Sequence, residues 1–383
     1  MKPSIAVALI TCVTLVTSAR PFAAPQRGSA AAAPLSEDTR QQLMASLDRA
    51  AAFLLQQRKV DGTLDANPGV TAVAATALLR QTGKSRDAQA RSLSKTLDYI
   101  AAMAKPDGGI YTQQIPHYIT AVSVSALAAA GRPQDKRIIE RGRQYLVEAM
   151  LDEGEGVKPG DKWYGGMSYG GANPDRRADI ISLEYGLQAL RDAELPANDA
   201  AWAKAIKFLQ RTQNNSETSD QSWASNDGGF VYYPGFSYHS DGGTKSYGSA
   251  TYAGVISYAW ANVKKDDQRV QAVLKWVRDN YTVDENPGMG QKTVYYYYLV
   301  FAKALQAVGD ATIVDASGRT HMWREDLGRK LLSLQHPEGF WVNEVKDELQ
   351  GNPVLVTGFT MQAIEAILEA QSRATRTTTP LER

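Results

Sequence analysis

Three stretches of the sequence concentrate side chains able to do chemistry. Between Trp223 and Tyr258 the chain carries Tyr232, Tyr233, Phe236, Tyr238, His239, Asp241, Lys245, Tyr247 and Tyr252, interspersed with glycines. Aromatic faces and phenol hydroxyls at this density suit a ligand pocket, with Tyr238, Tyr247 and Tyr252 as candidate contacts. His239 is a candidate general acid or base, and Asp241 is a candidate catalytic carboxylate two residues on. The same tyrosines would equally plug a ring and tie down a long loop.

The second stretch, Asp284-Glu285-Asn286-Pro287-Gly288-Met289-Gly290, leads into Tyr295-Tyr296-Tyr297-Tyr298. Successive helical residues point about 100° apart, so four rings in a row cannot share a face. Tyr295 and Tyr298 align with Ala302 and are assigned to the interior as ligand contacts, leaving Tyr296 and Tyr297 to pack against neighbouring helices. Asp284 and Glu285 are either solvated loop charges or an acid pair able to share a proton or bind a cation. In the third stretch, Asp175-Arg176-Arg177-Ala178-Asp179 opens a helix that also carries Glu184. Asp179 suits an N-cap and is also a candidate catalytic acid at the mouth of that helix. His117, after Pro116, stands at a similar helix start and is a further candidate ligand contact.

Several chemistries are excluded before any fold is considered. The 383 residues carry 42 Lys+Arg against 41 Asp+Glu, so no bulk field favours nucleic acid or an anionic membrane. The single cysteine, Cys12, lies in an apolar run from Ile5 to Val16 behind Lys2 and ahead of Thr17-Ser18-Ala19. This pattern reads as a signal peptide over residues 1–19, cleaved near Ala19, with export to the periplasm or beyond. The run is too short to span a bilayer. Without Cys12 the exported protein has no thiolate or cysteine-ligated zinc. No metal and no cofactor are expected.

The elements that must hold these residues are helices. Residues 20–35 read as an Ala/Pro-rich linker, 36–370 as the folded domain and 371–383 as a polar tail. Small-residue helices end Leu-x-x-x-Gly at Gly83, Gly131 and Gly309, where glycine suits a left-handed C-cap. Three relatives without the glycine run from Asp179 to Leu190, Thr251 to Ala261 and Thr357 to Ala370. Each of the six follows a more amphipathic helix, marked by Phe53-Leu54, Leu97 to Ile100, Tyr145-Leu146, Phe208-Leu209, Trp276-Val277 and Leu331-Leu332. Six hairpins with unpaired end faces favour a closed ring over an open solenoid. The expected fold is all-α, a single α/α toroid with inner and outer helix rings.

Between helices recurs a Gly-aromatic signature: Asp107-Gly108-Gly109-Ile110-Tyr111, Trp163-Tyr164-Gly165-Gly166-Met167-Ser168-Tyr169, Asp227-Gly228-Gly229-Phe230 and Gln335-His336-Pro337-Glu338-Gly339-Phe340-Trp341. With Phe208-Leu209-Gln210-Arg211-Thr212-Gln213, these resemble the prenyltransferase and squalene-oxidase repeat family, which includes squalene–hopene cyclases and protein prenyltransferase β subunits. The resemblance implies the six-hairpin toroid, but not an activity. The Asp-x-Asp-Asp motif with which class II terpene cyclases protonate substrate is missing. Its nearest approach, Lys264-Lys265-Asp266-Asp267, has lysine at the first position and a polar setting. No Asp-Asp-x-x-Asp set is present for magnesium diphosphate, and the zinc cysteine of the protein prenyltransferases is absent.

The expected function is therefore a terpenoid-cyclase-like toroid binding a small apolar or isoprenoid-like ligand in an aromatic lumen, as a divergent cyclase or isomerase or without catalysis. A carbohydrate-active lyase or hydrolase on the same toroid is the alternative, and a noncatalytic scaffold the third reading. The expected partner is a small molecule, apolar or glycan, with no nucleic acid and no membrane span. The sequence leaves the oligomeric state open.

Overall fold

The computed structural model describes residues 35–377 except 113 and 172–176, with side chains as far as residue 369. The expected signal peptide, the expected linker apart from Leu35, Asp175 and Arg176 therefore lie outside the described residues.

Helices α1 (Glu37–Gln56) and α2 (Pro68–Leu79) form the first hairpin. The second comprises α3 (Arg86–Ser92), α4 (Ser94–Ala102) and α5 (Pro116–Ala130). Four more pairs follow: α6 (Lys136–Glu148) with α7 (Ile180–Asp192), α8 (Ala200–Thr212) with α9 (Gly248–Trp260), α10 (Gln268–Asp279) with α11 (Val294–Val308), and α12 (Trp323–Leu334) with α13 (Pro353–Thr377). A two-stranded hairpin, β1 (Ile313–Val314) and β2 (Thr320–His321), joins α11 to α12.

Helices α2, α5, α7, α9, α11 and α13 each pack on the next, and α13 returns to α2, closing an inner ring. Helices α1, α3, α4, α6, α8, α10 and α12 surround it, so the protein is an α/α toroid. Inner helices are buried on nearly all sides; in α2 every residue from Gly69 to Leu79 is buried. Their Ala, Gly, Ser and Thr content lets backbones approach closely. The outer helices bury one stripe, as Val270, Val273, Leu274, Trp276 and Val277 do on α10.

The glycine signature has a repeated structural task. Gly62, Gly108, Gly165, Gly228 and Gly339 all have φ between 81° and 98°. A Cβ on each would sit 1.9 to 2.9 Å from a backbone oxygen of the following outer helix, at Lys95, Arg141, Lys204, Ala272 and Arg49. Only glycine tolerates both the left-handed backbone and that approach. The glutamines at the ends of α8 and α12 complete the joint: Gln213 Nε2 donates to Gly228 O and Arg269 O, and Gln335 Nε2 to Gly339 O and Ser46 O. A threonine early in the inner helix receives the loop N–H, at Thr71, Thr120, Thr251 and Thr357.

Helix ends depart from expectation in several places: α9 and α13 begin at Gly248 and Pro353, ahead of the expected Thr251 and Thr357. Gly131 and Gly309 are left-handed C-caps, but α2 stops at Leu79 and Gly83 lies in the turn beyond, where Gln81 is tied to Asp48 and Thr82 to Glu365. The backbone of α13 continues to Thr377, past Ala370, into the segment read as a polar tail.

Candidate functional site

The first turns of five inner helices surround a cavity of about 450 Å³. Ile115 and Tyr118 enter it from α5, Ile181 and Tyr185 from α7, and Ser249 from α9. Tyr296 enters from α11, and Leu355 and Phe359 from α13. Loops add Tyr169, Tyr232, Tyr238, Tyr247 and Met289, and the rim carries Lys292 and Asp347–Gln350. The rings form a continuous floor: Tyr169 to Tyr118 at 6.0 Å between centroids, Tyr118 to Tyr185 at 4.9 Å, Tyr185 to Tyr296 at 5.9 Å and Tyr296 to Phe359 at 6.0 Å.

Backbone strain gathers here. Among the described residues six non-glycine positions have positive φ, and Ile115, Thr293, Glu348 and Leu349, four of the six, line the cavity. Ile115 and Thr293 are β-branched, for which this conformation is costly. Each immediately precedes an inner helix, so the strained turn sets how that helix enters the ring. Such concentration marks a site whose shape is held by its surroundings.

Two buried carboxyls lie behind the rings. Asp179 caps α7, accepting from Ile181 N at 3.0 Å, Ser182 N at 2.8 Å and Ser182 Oγ at 2.7 Å. It also accepts from the Tyr232 hydroxyl, whose ring faces the cavity. Burial raises its pKa to about 7 against these hydrogen bonds. Glu184, on the same helix, accepts from the Tyr296 hydroxyl at 3.2 Å, and its Oε1 has no hydrogen-bond partner. Burial raises its pKa to about 7, opposed by Lys303. Lys303, pushed down to about 8 by burial, donates to Gln188 at 2.6 Å.

Of the residues singled out in the sequence, Tyr238 and Tyr247 line the cavity and Asp179 stands behind Tyr232. The others are placed differently. Tyr252 is fully buried against Tyr297 and Phe301, between the helix rings. The rotation of α11 is the reverse of that expected: Tyr296, Leu299 and Lys303 point inward, whereas Tyr295 and Tyr298 pack edge to face outside the cavity. The Tyr297 and Tyr298 hydroxyls donate to Thr282 O and Val283 O in the preceding loop, which locks that rotation.

His239 Nδ1 accepts from Asp241 N at 3.1 Å while its ring covers Gly288, so it braces a loop outside the cavity. Asp241 is exposed and paired with Lys245 at 2.7 Å. His117 packs against Tyr145, with Nδ1 bonded to Ser168 O at 3.1 Å, and burial lowers its pKa. Asp284 is exposed and pairs with Lys330 at 3.0 Å. In the degenerate Lys-Lys-Asp-Asp run, Asp267 caps α10 and pairs with Arg269.

Sequence reasoning missed Tyr118, Tyr185, Tyr296 and Phe359. Aligning helix starts would have exposed part of the pattern, because the second or third residue of α5, α7, α9, α11 and α13 faces the cavity in each case. Among the described residues no group of three His, Cys, Asp or Glu side chains is arranged to hold a metal ion, and no helix is long and apolar enough to cross a membrane.

No protein-family model and no curated protein matches the chain. Solved structures do match in shape. The type II terpene cyclase MstE from Scytonema, in complex with merosterolic acid A, superposes with a TM-score of 0.57 at 16% identity over 87% of this chain and 99% of that one. A polysaccharide lyase gives 0.55 at 11% identity over 90% and 100%. A possible member of the GH105 family from Salmonella enterica serovar Paratyphi A gives 0.51 at 10% identity over 94% and 100%. The common ground is the single α/α toroid, a fold that carries both terpene and polysaccharide chemistry.

Proposed function

We propose that this toroid binds a small, predominantly apolar, isoprenoid-like molecule in its aromatic cavity. The observation carrying the reading is the floor of four tyrosines and Phe359, walled by Ile115, Ile181, Met289 and Leu355, in a volume typical of small-molecule sites. Charged groups are confined to the rim. Asp179, reached through Tyr232, is the proton source for a divergent cyclase or isomerase on this site. A carboxyl raised to about 7 is protonated in part at neutral pH without the Asp-x-Asp-Asp arrangement. We further propose export through the first 19 residues.

The carbohydrate reading draws on the lyase-like fold and the tyrosine hydroxyls. Against it, none of the described lining residues is His, Arg or Asn, and Asp347 and Glu348 are sequence neighbours on one edge rather than an opposed acid pair. Titration with geranylgeraniol and with a uronic-acid disaccharide, followed by intrinsic fluorescence, separates the two. Saturable binding of the isoprenoid alcohol, weakened by Tyr185→Ala, is expected. Binding of the disaccharide alone would overturn the reading.

A further inference from the structure

The geometry points to a ligand with a positively charged, alkylammonium-type group, seated on the cavity floor against Tyr118, Tyr185 and Tyr296 with Glu184 as its buried counter-charge. This inference rests on the cavity being a small-molecule site and specifies the chemistry of its occupant.

Three phenol rings in successive contact, Tyr118 on Tyr185 and Tyr185 on Tyr296, line one cavity, and the negative π-face of such a ring attracts an organic cation. One of these rings is electronically biased further. The Tyr296 hydroxyl donates to Glu184, and once a bound cation holds that carboxyl in its ionised form the phenol acquires partial phenolate character, strengthening the negative potential of its face. Tyr232 likewise directs its hydroxyl to Asp179 on the side wall, but that carboxyl is the one assigned as proton source and is not counted as counter-charge.

Glu184 is the less satisfied of the two. Its side chain is fully buried and Oε1 has no hydrogen-bond donor, although a buried carboxylate ordinarily recruits several. Lys303 offsets part of its charge but stands two helical turns deeper than Tyr296, with its ammonium committed to Gln188. At the rim, Lys292 is opposed by Asp347 at 3.9 Å and by Glu348 beside it.

The converging helix N-termini would otherwise favour an anion, but first-turn N–H groups there are already engaged. Asp179 takes two on α7, Asn286 takes Ser249 N on α9, Gln350 takes Tyr295 N on α11, and Tyr169 O takes His117 N on α5. What faces the bound molecule at depth is aromatic, with the Glu184 carboxyl behind the Tyr296 ring.

A matched pair of probes tests this: (6-hydroxyhexyl)trimethylammonium and its neutral carbon isostere 7,7-dimethyloctan-1-ol, titrated calorimetrically into the full chain. The ammonium should bind at least about ten-fold tighter. Tyr296→Phe, which keeps the ring and removes its hydrogen bond to Glu184, should erode that preference several-fold, read as the ratio of the two probes' affinities. Glu184→Gln should do the same, and Tyr296→Phe decides alone should that variant misfold. Equal or tighter binding of the isostere overturns the cation assignment and leaves the apolar-ligand reading standing. Failure of both probes and of geranylgeraniol to bind overturns the site itself.

Discussion

Gly339, in the last hairpin, lies against the backbone carbonyl of Arg49 in the first outer helix, where an added Cβ would stand 2.6 Å from the oxygen. The contact occurs four more times, joining the first five hairpins in succession, but here it joins the end of the chain to its beginning. Ring closure thus uses the same joint as ring propagation.

Gly339→Ala should therefore cost far more than an ordinary glycine substitution, about 2–4 kcal/mol, by combining a left-handed alanine with a backbone collision. Gly309→Ala, at a C-cap with open space around it, should cost only about 1 kcal/mol. Urea unfolding of the two variants provides the comparison, and equal losses would refute the closure joint.

Asp179 should make the fold pH-dependent. Its carboxyl pKa rises from 3.8 to about 7 on folding, so the folded state holds a proton that the unfolded chain has released. This contribution is complete below about pH 3.8 and is lost as pH climbs through about 7. Asp179→Asn keeps a cap acceptor but cannot ionise. Relative to wild type it should gain on the order of 2–4 kcal/mol between pH 4 and pH 8. A constant stability difference across that range would show that the group is ionised throughout.

Two tyrosines of similar sequence context should separate. Tyr252→Ala empties a fully buried position and should lose about 3–5 kcal/mol. Tyr238, 49% exposed at the cavity mouth, should lose under about 1 kcal/mol on conversion to Ala yet weaken ligand binding. Melting curves and ligand titrations on both variants check the assignment.

Arg211 supports the long third and fourth loops without touching the cavity. Fully buried, it forks onto Asp220 and donates to Pro159 O and Asp161 O, holding the Asp220 carboxyl well below its usual range. Arg211→Ala should destabilise by about 2–4 kcal/mol and open the segments 158–162 and 214–222 to protease. Limited proteolysis that leaves these segments uncut would argue against the staple.

Glu348 is exposed with φ of 48°, next to Leu349 at 62°, on the cavity rim. Glu348→Gly should raise stability by about 1 kcal/mol by removing the left-handed penalty. Ligand affinity should fall with it if the strained rim shapes the mouth, and unchanged stability would mean the turn is relaxed.

The alternation of helices, the six-fold repeat and the Gly-aromatic signature were legible in the sequence because each depends on local chemistry. Amphipathic stripes on outer helices reveal which face is buried, whereas the joint that each signature glycine makes with the next outer helix came only from the fold. The rotation of the inner helices was not legible. Helices such as α2 and α11 are buried on almost every side, so hydrophobic periodicity has no phase and cannot distinguish the lumen from the layer between rings. That is why Tyr296 replaced Tyr295 and Tyr298 in the cavity and why Tyr252 fell outside it. The convergence of Tyr232 on Asp179 and of Tyr296 on Glu184 joins residues 53 and 112 positions apart, and only the closed ring brings such distant positions together.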